Sequence, residues 1–121
     1  TVIAVGLMVQ EAMKAAETLA AQGISLRVID MHTIKPLDEA LVLQAARETG
    51  CVVTTEEHSV IGGLGSAVAE YLSGVCPVPV VRHGVEDLFG RSGKAAEVLA
   101  AYGLTAEGIA DKVSAALALK K

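Results

Sequence analysis

Residues 51–70 read CVVTTEEHSVIGGLGSAVAE. A short, β-branched apolar run ends in two acids and a histidine. A glycine pair follows, and then apolar residues return at helical spacing. The first run predicts a buried strand, and the polar stretch a crossing at its end. From Leu64 onward the pattern predicts a helix whose first turn carries almost no side-chain bulk. Leu64, Val68, Tyr71 and Leu72 fall at i, i+4, i+7 and i+8, which is one face of that helix. Such an opening has free N–H groups at the positive end of the helix dipole and is a candidate seat for an anion.

The same grammar repeats outward from this stretch. Nearly continuous apolar runs at 2–6, 26–31, 52–55 and 78–82 read as strands buried on both faces of a parallel sheet. Helical patterns occupy 8–22, 38–49 and 64–73, and two more follow the last strand at 94–102 and 106–119. The expected apolar stripes are Val9, Met13, Ala16 and Ala20 in the first helix and Leu41, Val42, Ala45, Ala46 and Thr49 in the second. Ile109, Val113, Ala116 and Leu117 form that of the final helix. Gly23, Gly50, Gly74 and Gly103 stand just past helical patterns, where a left-handed residue closes the last turn. Asp38 and Thr105 read as N-caps. Strand and helix alternating at this spacing imply right-handed βαβ units. The expected fold is a three-layer α/β/α domain over residues 1–121, an open, doubly wound, mainly parallel sheet of flavodoxin-like order 2-1-3-4. Its switch point lies between the first and third strands, so the loops at 6–9 and 56–65 face the place where such folds bind ligands.

Composition narrows the function. The chain has 121 residues, 52% hydrophobic and 20% charged, enough for one domain with a real core and unlike a disordered segment. A net charge of −4 and only 2% aromatic residues argue against a nucleic-acid partner, which needs a basic face and rings for stacking. No apolar run approaches the roughly 20 residues of a membrane span, and no basic segment precedes an apolar core in signal-peptide fashion. Cys51 and Cys76 form no CxxC, which reads as two reduced thiols in a cytoplasmic protein. The first residue is Thr1 rather than Met, so the chain reads as a piece of something longer.

The candidate chemistry is incomplete at each motif. Gly62, Gly63 and Gly65 would admit a phosphate or carboxylate to the backbone, but a GxGxxG begun at Gly63 would need glycine where Val68 stands. Close helix–sheet or subunit packing is the simpler use of these glycines. Glu56, Glu57 and His58 have the residue types of an acid–base cluster, yet adjacent residues of a strand point in different directions. His32, His58 and His83 each fall near a strand end, but the sheet order separates their strands too far for an economical metal site. Ser59 and Ser66 lack the GxSxG elbow. A lone Lys35 reads as solvated, and the residue pattern does not join Arg82 and Arg91 into a carboxylate or phosphate site. A receiver-type phosphoacceptor would need an aspartate after the third strand, and Asp30 follows the second. A flavin would want aromatic stacking beyond Phe89, Tyr71 and Tyr102.

Four segments, in order and register, carry a resemblance. They are TIKPLD at 33–38, EEHSVIGGLGSAVAE at 56–70, GVEDLFGRSG at 84–93 and YGLTAEGIADKV at 102–113. Together they make the chain resemble the C-terminal domain of transketolase over nearly its whole length. The same fold closes 1-deoxyxylulose-5-phosphate synthase and the beta subunits of 2-oxoacid dehydrogenases. FGRSG, YGLTAEGI and His58 lean towards transketolase.

The resemblance implies ketol transfer between sugar phosphates by a parent enzyme of the pentose phosphate pathway. It implies thiamine diphosphate and a divalent metal, Mg or Ca, held in domains this chain lacks. No catalytic, cofactor-binding or metal-binding residue carries over to this chain, which is expected to be inactive alone. Its expected partners are the catalytic thiamine-binding domains or large subunit, in a homo-oligomeric enzyme. Glu57, His58, Gly62, Gly63 and Gly65 match the family pattern near the switch point and are the candidate effector, anion or interface site. The alternatives are a small anion-binding module or the equivalent domain of the two related enzymes. The family fold also carries an antiparallel strand before this segment. Without it, the second-strand side would be an open sheet edge that invites pairing.

Overall fold

A computed structural model describes residues 1–32, 37–59, 63–85 and 103–120, without the side chains of His58, Ser59 and Val85. The strands are β1 (Val2–Ala4), β2 (Val28–Asp30), β3 (Val52–Ser59) and β4 (Val80–Val85). The helices are α1 (Met8–Ala21), α2 (Glu39–Thr49), α3 (Leu64–Val75) and α4 (Ala106–Leu119). All pairings are parallel and the order is β2-β1-β3-β4, the doubly wound arrangement expected from the alternating pattern. Val2 sits opposite Val28 on one side and Val53 on the other, so β1 lies inside the sheet. Its side chains are buried on both faces, which is why VIA shows no polar alternation.

Two apolar clusters cover the two faces. Val2, Ala4 and Val53 pack with Met8, Ala12, Ala15 and Leu19 of α1 and Ile109, Val113 and Ala116 of α4. Ile3, Ile29 and Val52 pack with Val42, Ala45 and Ala46 of α2 and Leu64, Val68 and Leu72 of α3. Each fully buried Val, Leu or Ile stabilises the fold by about 1.5–3 kcal/mol relative to exposure. Alanines dominate the contact faces of α1 and α2, so these helices lie close to the sheet without aromatic filling.

Some local expectations shift. The buried stripe of α1 is Met8, Ala12, Ala15 and Leu19, one residue round from the expected one, and Met13 is 53% exposed. Both stripes are apolar at helical spacing, and the tertiary contact with α4 selects the one ending in Leu19. Leu41 and Leu117 lie at the edges of their stripes and are exposed. β3 runs to Ser59 instead of stopping at residue 55, because pairing with β4 resumes at Ser59 opposite Val85 after an irregularity. The helix α3 passes through Gly74 to Val75, whereas Gly23, Gly50 and Gly103 take positive φ as expected. The expected helix at 94–102 lies outside the described residues. Asp38 caps α2 by accepting the Leu41 N–H at 3.2 Å, and Thr105 caps α4 by accepting the Gly108 N–H at 3.1 Å. Arg27 reaches Glu48 at 2.9 Å, and hydrogen bonds from Gln44 and Arg27 hold the exposed Glu48 carboxyl below its usual range.

Among the described residues, one buried side-chain polar atom is unsatisfied: the Thr54 hydroxyl, beneath α3, has no hydrogen-bond partner there. A buried hydroxyl without a partner costs about 1–3 kcal/mol of desolvation. Thr54→Val keeps the shape and removes that cost. The variant is expected to be as stable as the parent or up to about 1 kcal/mol more stable, read from urea unfolding midpoints.

Candidate functional site

The polar end of β3 is the place where sequence and fold converge. Successive side chains of a strand leave opposite faces, so Glu56 and Glu57 point into different helix layers. Glu56 is 0% exposed and points towards α3. Its carboxylate accepts the N–H of Leu64 at 2.9 Å and that of Gly65 at 2.8 Å. Glu57 points towards α1, where it accepts the Leu7 N–H at 2.9 Å. Each acid therefore sits on the first turn of a different helix, where free N–H groups and the dipole favour negative charge.

The glycines make these contacts possible. Gly6 has φ +64°, and a Cβ there would lie 3.0 Å from the Glu57 Oε1. Gly65 lets α3 settle onto the sheet, since a Cβ would stand 2.7 Å from both the Arg82 Cγ and the Thr54 Oγ1. Gly63 precedes the helix in an extended conformation, and its carbonyl accepts the Ala67 N–H at 3.1 Å. Gly62 lies outside the described residues. His58 lies within β3, and its side chain lies outside the described residues.

Glu56 and Glu57 thus form no acid–base pair with each other: the strand's pleat sends them to opposite layers. His32 and His83 also stand apart, at opposite edges of the sheet. His32 is exposed beyond β2, with its Nδ1 3.9 Å from the Asp30 carboxylate. His83 is buried on β4, two strands further along the sheet than β1. Its Nε2 donates to the Gly103 carbonyl at 2.8 Å, and its Nδ1 lies 3.0 Å from the Thr55 hydroxyl. A carbonyl only accepts, so the Nε2 carries the hydrogen of that bond. This histidine ties β3 and β4 to the residue that leads into α4. No local sequence signal announces that role, because Gly103 lies 20 residues from His83.

A thiamine diphosphate and metal site does not fit the described residues. The α3 N–H groups of Leu64 and Gly65, where a diphosphate would be seated, are already bonded to Glu56. Among the described residues, no three His, Cys, Asp or Glu side chains gather to hold a metal.

Sheet order and crossovers define a doubly wound α/β domain whose switch-point helix openings carry the chain's own carboxylates. A family model for the C-terminal domain of transketolase matches residues 1–109. The chain belongs to that family. It is 54% identical over 109 residues to a 6-deoxy-6-sulfo-D-fructose transketolase subunit of Clostridium sp. (strain MSTE9), covering 90% of this chain and 34% of that protein. It is 46% identical over 121 residues to 1-deoxy-D-xylulose-5-phosphate synthase 1 of Geobacter sulfurreducens, covering 98% of this chain and 19% of that protein. A solved split-gene transketolase, described as an inactive beta4 tetramer, superposes with a TM-score of 0.96 at 52% identity, covering 99% of this chain and 39% of that one. The chain therefore spans between 19% and 39% of the length of these relatives.

Proposed function

We propose that this chain is the C-terminal domain of a transketolase, or the corresponding part of the smaller subunit of a split one. On this reading it supplies assembly surface and no catalytic group. The observation that carries the reading is the engagement of Glu56 and Glu57. Glu56 and Glu57 of the EEH motif each accept N–H bonds at a helix N-terminus, so both already serve a structural bond inside the fold. A relative of 52% identity that forms an inactive tetramer supports the same view. The cofactor and its metal belong, in this proposal, to domains or a large subunit outside this chain. Glu57, His58, Gly62, Gly63 and Gly65, at the switch-point end of β3 and the opening of α3, are the proposed contact residues.

Ketol transfer is the proposed reaction of the whole enzyme, and sugar phosphates are its proposed substrates. The relatives act on differently built sugars by name, so the sugar, and with it any place in the pentose phosphate pathway, is set by the missing domains. A cytoplasmic setting fits Cys51 and Cys76, both free thiols. No described helix is long and apolar enough to cross a membrane.

The test is complementation. The 121-residue chain is mixed with ketose and aldose phosphates, thiamine diphosphate and magnesium, with and without a catalytic part lacking this region. No turnover alone and restored turnover in the mixture are expected. Turnover by the chain alone would overturn the proposal.

A further inference from the structure

We propose that Glu56 and Glu57 are built-in occupants of the two anion seats flanking the switch point, and that they close this edge to phosphate-bearing ligands. In a sheet of order 2-1-3-4 the crossovers diverge between β1 and β3, and the helices that follow those strands are α1 and α3. Ligand anions in doubly wound folds sit at such helix openings. Here both openings already hold an anion, and both anions belong to the chain. The Leu64 and Gly65 N–H groups carry the buried Glu56 carboxylate, and the Leu7 N–H carries Glu57.

The two seats are filled by consecutive residues of one strand, which only the alternation of the pleat allows. An incoming phosphate would meet two negative charges and find three N–H groups taken. To enter at α3 it would have to expel a carboxylate that is 0% exposed. To enter at α1 it would have to displace Glu57, whose oxygen lies against Gly6, where no Cβ intervenes. The edge that other folds of this order use for ligands is thereby left as a surface for contact.

The inference is tested on the 121-residue chain with inorganic phosphate, followed by amide NMR shifts against a chloride control of equal ionic strength. In the wild type, the Leu7, Leu64 and Gly65 amides are expected to show no saturable shift. Glu57→Ala frees an exposed seat, and its Leu7 amide is expected to titrate saturably, with phosphate affinity at least about tenfold above wild type. Glu57→Gln keeps an oxygen on the Leu7 N–H and is expected to stay as weak as wild type. Saturable binding at Leu64 or Gly65 in the wild type overturns the inference. So does a folded Glu57→Ala whose Leu7 amide ignores phosphate, or a Glu57→Gln that binds as well as Glu57→Ala. Because no catalytic part is present, failure here leaves the assembly reading standing, and failure of complementation leaves this one standing.

Discussion

Glu56→Ala is expected to lower stability by about 3–5 kcal/mol, a large share of what a domain of this size has. Two hydrogen bonds to a charged acceptor disappear, each worth about 1.5–3 kcal/mol. The N–H groups of Leu64 and Gly65 then lie buried at the helix opening without a partner, since Leu64 is 0% exposed. The side chain also leaves a void between β3 and α3, which adds a cavity term. Glu56→Gln is the control. Its carbonyl oxygen still accepts one N–H, but its amide nitrogen faces the other as a second donor. It is expected to fall between wild type and alanine. Urea unfolding with a constant slope measures both. Equal stabilities for wild type and Glu56→Ala would remove the carboxylate from the account of how α3 is held.

Gly108→Ala is the second large effect expected, a loss of about 3 kcal/mol and roughly 10 °C in melting temperature. Gly108 lies in the first turn of α4, directly against the Gly103 carbonyl, so an added methyl runs into that carbonyl. The same methyl would come within 3.2 Å of the His83 Nε2, which donates to that oxygen. Backbone has to move, because no flexible side-chain end is available to yield. The shift separates His83 from Gly103 and loosens α4 against β4. Calorimetry measures the melting temperature, and the His83 ring signal should lose its bonded Nε2–H resonance. Gly74→Ala is the contrasting variant. A Cβ there meets nothing within 4 Å, and the helix runs through the position, so this variant should gain up to about 1 kcal/mol.

The strands were legible because β-branched runs buried on both faces leave a continuous apolar signal. Val2, Ile3 and Ala4 are all 0% exposed, and no surface alternation blurs them. The second half of β3 was not legible. Glu56 and Glu57 look like a loop by residue type, yet each is held by a partner that arrives from elsewhere in the fold. Polar residues inside a sheet are readable only when their partners are known. The α1 stripe failed for another reason: apolar residues cover more than one face, and only α4 decides which face is buried. At the switch point, Gly65 marks a close approach. What approaches is the chain's own carboxylate, and nothing in the local pattern distinguishes that from an external anion.

The position of β1 has a consequence for how the chain acquires its structure. The first strand in sequence is a central one in space, pairing Val2 with Val28 and Val53. Its second neighbour is separated from it by two whole crossovers. During synthesis, β1, α1 and β2 emerge able to form one βαβ unit, but that unit has an unpaired edge until β3 follows. Loop closure on this scale is slow compared with helix formation, and such topologies fold on slower timescales than helical bundles. The interval in which β1 waits for β3 is therefore the stage at which a nascent chain is most exposed to pairing with the wrong strand.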